Sequence, residues 1–204
     1  MSLVKALNTQ FLDDLKAGRP LRLNLGCGRD PKSGYYGVDL VEMDGVDIVA
    51  DLNAGMSWLP DNSVDEIITF HVFEHIQGFL PLMRELHRVV KPDGRISITV
   101  PHFSNVFGFS DPTHVRFFGM YSMFYFVPPE FQPKRKVPVF YTDIRFSIES
   151  IFIDFYREGL VDRILGKLMS KLVNRSLDSQ HFYEHRLASM YHAREITYVM
   201  RPMH

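Results

Sequence analysis

One cysteine in 204 residues leaves no partner for an internal disulfide, so the chain is held together by its core alone. An excess of one charge is also missing. With 23 Lys and Arg against 24 Asp and Glu, the formal net charge is -1, and the broad cationic field that nucleic acid requires is absent. No nucleic-acid partner is expected. The most apolar window, residues 117–127, is about half the length of a bilayer crossing and stops at Pro128-Pro129, so no transmembrane segment is expected. The first helix-like stretch carries Asp13 and Asp14 where a secretory signal would carry an unbroken apolar run, which points to the cytoplasm. Internal repeats, low-complexity tracts and interdomain linkers are lacking too. What remains, 46% hydrophobic and 23% charged residues, is the composition of a soluble globular chain with the length of one domain and one core. Aromatic residues are plentiful: 17 Phe and 9 Tyr, many of them crowded between Phe103 and Phe155.

The hydrophobic pattern alternates between short strands and helices. Leu3, Leu7, Phe11 and Leu15 share one helical face before Gly18 and Pro20, so residues 1–18 read as an N-terminal capping helix. Strands follow at residues 21–25, 35–40, 47–52 and 64–70, then a helix over 79–90 and a fifth strand over 95–100, after the turn Lys91-Pro92-Asp93-Gly94. Such alternation predicts an α/β fold built on a mainly parallel sheet. From His102 to about Asp143 the periodicity fails, and a connection this long is read as an aromatic lid or acceptor region. A sixth strand at 145–156, a helical insertion over 158–192 and a last strand at 195–200 complete a single domain spanning 1–204. Leu160, Val161, Ile164, Leu165, Leu168, Met169, Leu172 and Val173 form a stripe expected to dock onto the sheet. Arg163, Lys167 and Lys171 line its polar side.

Chemistry concentrates at the strand ends. Leu25-Gly26-Cys27-Gly28 runs a strand into two glycines, which lets the backbone turn sharply and approach a ligand closely. Asp39, ending the second strand, is placed to accept both hydroxyls of a ribose, and Asp51 beside Leu52 offers a polar group and an apolar wall for an adenine. Each aspartate alone reads more readily as a helix cap or a solvated loop residue, and dinucleotide-binding enzymes share the turn.

Taken together, LRLNLGCGRD, YYGVDL, DIVADL, VDEIITFHVFEHI and LMRELHRVVKPDGRISITVP, in this order and spacing, resemble the motif series of class I S-adenosylmethionine (SAM)-dependent methyltransferases. HVFEHI and RVVKPDG are similar to the branch that includes the ubiquinone and menaquinone methyltransferases. The resemblance covers about residues 20–101. It implies a Rossmann-like, mainly parallel seven-stranded sheet with a reversed last strand beside the fifth, and SAM as cofactor. The cofactor residues it implies are Asn24, Gly26, Cys27, Gly28, Asp39, Leu40, Asp51, Leu52 and His71, the last beside the sulfonium. This chain departs from the pattern in three places. Asn24 replaces an acid that helps hold the SAM ammonium, Asp30 replaces the third glycine, and seven residues between Gly28 and Tyr36 are too few for a full crossover helix.

The acceptor is expected beyond the fifth strand, at the carboxyl edge where open α/β sheets bind ligands. There His102 follows Pro101, and Asp111 and His114 of DPTH read as an orienting carboxylate and a base; these three are the candidate catalytic residues. Glu74, His75 and Arg116 are candidate substrate contacts, Arg116 for a phosphate or carboxylate. Asp111 to His114 also reads as a capped turn. A metal site from His71, His75, His102 and His114 is disfavoured by irregular separations, so no metal is expected. The expected reaction is methylation of a small-molecule acceptor. Similar enzymes with a DPTH-like segment are often associated with surface-polysaccharide pathways. A methyltransferase-like scaffold without activity and an NAD-dependent oxidoreductase are the alternatives, and a homodimer is one assembly left open.

Overall fold

Leu23, Asn24 and Leu25 are all buried, the mark of a strand covered on both faces, and β2 (Arg22–Leu25) lies at the centre of the sheet. The computed structural model describes residues 4–204; Leu3 lies outside them. Eight strands form one sheet in the order β1-β4-β3-β2-β5-β6-β8-β7. Here β3 is Tyr36–Asp39, β4 Ile48–Val49, β5 Val64–Phe70 and β6 Val90–Pro101. These four run parallel with β2, whereas β8 (Ala193–Met203) lies antiparallel between β6 and β7 (Arg145–Phe155). The reversed last strand beside the fifth main strand is thus present. The extra strand is β1 (Lys5–Ala6), which pairs antiparallel with β4 at the sheet edge. The first helix accordingly starts later than its apolar spacing suggests: α1 (Thr9–Lys16) is capped by Asn8, whose side chain accepts the Gln10 N–H at 3.0 Å. Its buried Phe11 meets Tyr36 and Trp58 edge to face, at 5.5 and 6.0 Å.

Only one main parallel crossover is helical. α2 (Phe79–Val89) joins β5 to β6 and buries Leu82, Met83, Leu86 and Val89, one side of a 3.6-residue repeat. Between β2 and β3 there is no helix, and β4 reaches β5 through a loop with one 3-10 turn, Leu52–Ala54. That loop is clamped from α2. The Glu85 carboxylate accepts the Met56 N–H at 2.8 Å and pairs with Arg88, which also donates to the carbonyls of Met56 and Leu59 and to Asp61. Hydrogen bonding to Arg88 holds the Glu85 pKa below its ordinary 4.5. A depressed carboxylate stabilises the fold above its unfolded-state pKa, and that contribution is lost as pH falls through the lower folded-state value. Against Glu85→Gln, the native chain should therefore be more stable by about 1 kcal/mol near neutral pH. The difference should vanish in acid, as urea unfolding at stepped pH will show.

Residues 102–143 pack rather than float. Phe118, Met120, Met123, Phe124 and Phe126 join the core, while Phe109 and Phe117 stack in solvent at 4.4 Å. The expectation for α3 (Gly159–Val173) needs correction. Leu160, Val161, Ile164 and Leu168 are exposed; of the stripe Met169 and Val173 pack inward, and Gly166 and Ser170 complete the docking side. A Cβ on Gly166 would stand 2.4 Å from the Tyr156 carbonyl oxygen, so a close backbone approach chose the docking face. α4 (Leu177–Arg186) follows and buries Tyr183 and Gln180.

Candidate functional site at the carboxyl edge of the sheet

The carboxyl ends of β2, β3, β4 and β5 converge on one edge, and the chain turns there with unusual backbone geometry. Gly26 and Gly28 both have positive φ, +67° and +51°. They differ in what surrounds them. A Cβ on Gly26 would lie 2.1 Å from Val72 Cγ2, whereas nothing lies within 4 Å of one on Gly28. Gly26 thus packs against the loop after β5, and Gly28 faces open space. Asp39 ties the turn to β3: one carboxylate oxygen accepts the Gly28 N–H at 2.9 Å and the other the Val41 N–H at 3.1 Å. Asp51 caps the turn that carries buried Leu52, accepting the Asn53 N–H at 2.9 Å. Asn53 in turn accepts the Gln77 N–H, binding this loop to the one after β5. Apolar side chains stay uncovered beside these polar groups, Leu40 at 64% and Phe70 at 45% exposure.

Two of the nine cofactor candidates turn their side chains elsewhere. Asn24 is buried and donates to the Asp30 carbonyl at 3.3 Å, so its amide braces the turn rather than reaching outward. Cys27 is buried too, its sulfur directed at the Gly37–Gly45 contact, and burial pushes the thiol pKa up to about 11. It offers only backbone to the edge.

His71, just past β5, has φ +54°, a conformation rare for a side chain of this kind. Its N–H is held by the Thr99 carbonyl. The ring lies between two acids, Nε2 at 3.1 Å from Glu195 and Nδ1 at 3.4 Å from Glu74. Glu195 first, then Glu74, raises its pKa to about 9, so at neutral pH it is an imidazolium.

Beyond it the acceptor-side candidates separate into two groups. His75 and His114 meet edge to face at 4.8 Å, with Asp111 Oδ2 3.7 Å from His114 Nε2. The Thr113 hydroxyl donates to Asp111 at 2.6 Å and accepts from His75 Nδ1 at 2.8 Å, and His114 Nδ1 donates to the Gly108 carbonyl at 2.8 Å. Glu74 completes this group, its carbonyl accepting the Val115 N–H. His102 does not join it. The ring is fully buried, with Nδ1 at 2.8 Å from the Ser104 hydroxyl and Nε2 at 3.1 Å from Glu184, partners that fix it inside the packing of β6 on α4. Its proximity to the strand end suggested an outward ring; the half-buried Glu184 carboxylate draws it inward. Arg116 donates to the Ile76 carbonyl at 2.9 Å and lies over Phe79 at 4.7 Å, at the wall of a cavity of about 280 Å³ shared with Phe118, Tyr125 and Tyr141. Glu195 and Glu184 were not among the sequence candidates, because nothing in their spacing links them to histidines 124 and 82 residues away.

Residues 32–98 match a family model described as a methyltransferase domain. No curated protein matches the chain. Among solved structures, a SAM-dependent methyltransferase from Archaeoglobus fulgidus shares 16% identity, over 95% of this chain and 90% of its own, with a TM-score of 0.50. YcgJ from Bacillus subtilis shares 15% over 95% and 97%, with a TM-score of 0.49. A SAM-dependent methyltransferase from Mesorhizobium loti shares 14% over 93% and 96%, with a TM-score of 0.43. These likenesses are of fold. The edge offers what the cofactor implied by the sequence resemblance would need: an open glycine, two carboxylates at neighbouring strand ends and uncovered apolar side chains at the ends of β3 and β5. The family match covers about a third of the chain, residues 32–98, and the solved structures agree with it in fold.

Proposed function

We propose that this chain methylates a small-molecule acceptor held between the carboxyl edge and the cavity at Arg116. The observation that carries the reading is the continuity of the loop after β5. Val72 packs on the glycine turn, His71 and Glu74 follow the same loop, and Glu74 leads to His75 and His114. S-adenosylmethionine supplies a methyl group on a sulfonium; the chain has to place a nucleophile in line with it and keep water out. On this reading Asp39 binds the ribose, Asp51 and Leu52 the adenine, and the backbone at Gly28 and His71 the methionine portion. His75 and His114 stand where the acceptor's nucleophile enters. Both rings have Nδ1 engaged, to Thr113 and Gly108, which leaves each Nε2 with its lone pair. Asp111 orients Thr113 and, through it, His75. The cavity beside them is mostly aromatic, with the Arg116 guanidinium at its wall, and suits an acceptor with a ring or apolar body and an anionic group. A sugar of a polysaccharide pathway, the class associated with DPTH-like segments, meets that description when it carries a phosphate.

A nicotinamide dinucleotide is the competing ligand for such a turn, and it is disfavoured because no helix follows Gly28 to receive a pyrophosphate. Thermal unfolding with SAM, its demethylated product and NAD separates the two. Stabilisation by the first two and not by NAD is expected, and stabilisation by NAD alone overturns the reading.

A further inference from the structure

Glu74 is 1% exposed, and neither of its carboxylate oxygens has a hydrogen-bond partner. A buried carboxylate left this way costs several kcal/mol of desolvation unless cations meet it, and the His71 imidazolium reaches only Oε1, at 3.4 Å without a hydrogen bond. Two imidazoles lie close to it: one ligand atom each from Glu74, His75 and His114 lie within 4.8 Å of one another. We propose that these three residues bind a divalent transition-metal cation of the zinc class. Beyond occupying the acceptor side of the proposed methyltransferase site, the cluster carries the internal signs of a ligand set. Both histidines are locked in one tautomer by their Nδ1 partners. Thr113 has a single hydroxyl proton and donates it to Asp111, so its oxygen accepts from His75 Nδ1; the Gly108 carbonyl can only accept from His114 Nδ1. Each Nε2 is thereby left as a lone pair. Outer partners of this kind, a carbonyl or a carboxylate acting through a hydroxyl, orient metal-binding imidazoles elsewhere.

The set is one carboxylate oxygen and two imidazole nitrogens, borderline donors that suit zinc, cobalt, iron or manganese better than magnesium or calcium, which prefer oxygen. Three protein ligands leave a coordination position for water or for an oxygen of the acceptor. This last role rests on the proposed function, but binding of the cation does not. The irregular sequence separations argued against a metal because they included His71 and His102, and the structure sets both apart: His71 pairs with Glu195 and His102 with Glu184. Glu74 also forms an ion pair with His71, whose Nδ1 stands 3.4 Å from Oε1. Service as a counter-charge to His71 is therefore the rival account of the acid.

The full-length chain, stripped with a chelator and titrated with Co²⁺, decides between them. A metal site gives one equivalent of Co²⁺ with visible d–d absorption that Zn²⁺ abolishes, and Zn²⁺ raises the unfolding temperature. Glu74→Gln and His114→Ala should each weaken binding at least tenfold, and Thr113→Val, which alters no ligand but releases the His75 tautomer, by about 10- to 100-fold. Should Glu74→Gln fail to fold, His114→Ala and Thr113→Val still decide. Absence of the d–d signal, or Co²⁺ binding that survives His75→Ala with His114→Ala, overturns the proposal; in the second outcome another pair such as His181 and His185 holds the ion. SAM binding, followed by calorimetry on the same samples, keeps the two readings apart. A chain that binds SAM but no cation loses only the metal, and one that binds the cation but no SAM loses only the proposed function.

Discussion

Gly26→Ala is expected to destabilise the chain by about 2–5 kcal/mol, the sum of about 1–2 kcal/mol for a side chain in the left-handed region and about 1–3 kcal/mol for overpacking. Both terms have a visible source. The residue has φ +67°, and its added methyl would fall 2.1 Å from Val72 Cγ2 and 3.3 Å from Val72 Cβ, a half-buried contact whose relief moves the loop that carries His71 and Glu74. Urea unfolding should show the midpoint falling with an unchanged slope. Val72→Ala removes the clash but not the backbone strain. Placed together with Gly26→Ala it should recover the packing share, so the two substitutions are strongly non-additive. Gly28→Ala is the contrast. Its φ is +51°, but nothing stands within 4 Å of the new methyl, so only the strain of about 1–2 kcal/mol applies. Its main effect should be on SAM, whose approach the methyl obstructs. If Gly28→Ala leaves SAM affinity intact while Gly26→Ala alone abolishes it through misfolding, the cofactor does not lie against Gly28.

That contrast shows where sequence reasoning reaches its limit. A strand running into Gly-x-Gly announces a tight turn, and both glycines do take positive φ. Which of them is reserved for a neighbour and which for a ligand depends on Val72, nearly fifty residues on and brought close only by the parallel pairing of β2 with β5. The same holds for the histidines. His102 and His71 both end strands, and the pattern cannot tell an inward ring from an outward one. Glu184 on α4 and Glu195 on β8 decide it, and both are assembled late in the chain. α3 gives the converse case. Its apolar stripe was plain at 3.6-residue spacing, yet Gly166 and Ser170, small enough for close backbone approach, form the docking side. Periodicity reveals that a helix has faces; the partner's shape decides which one is used. The strands of the central sheet and the helix α2 were legible because their patterns are strong and local, with buried residues recurring along each. DPTH reads as a turn and as chemistry at once; the turn is there, with Asp111 accepting the Thr113 N–H, and the Thr113 hydroxyl also meets His75 Nδ1.

Asp39→Ala should weaken SAM binding by about 1.5–3 kcal/mol, the usual loss for hydrogen bonds to a charged acceptor, or roughly 10- to 150-fold in Kd. The difficulty is that Asp39 has a second task. Its two oxygens already accept the N–H groups of Gly28 and Val41, so removing them frees the glycine turn as well as any contact to the proposed ribose. Asp39→Asn separates the tasks. The amide keeps one acceptor oxygen for the turn but loses the negative charge, so most of the unfolding stability should return while SAM affinity stays low. Calorimetry at several salt concentrations adds a second handle, because a charge-assisted contact at an exposed edge weakens with ionic strength and a bracing hydrogen bond does not. Unchanged affinity in both variants would remove Asp39 from the cofactor site. Full recovery of affinity in Asp39→Asn would assign it to the turn alone, and the ribose would then need another acceptor.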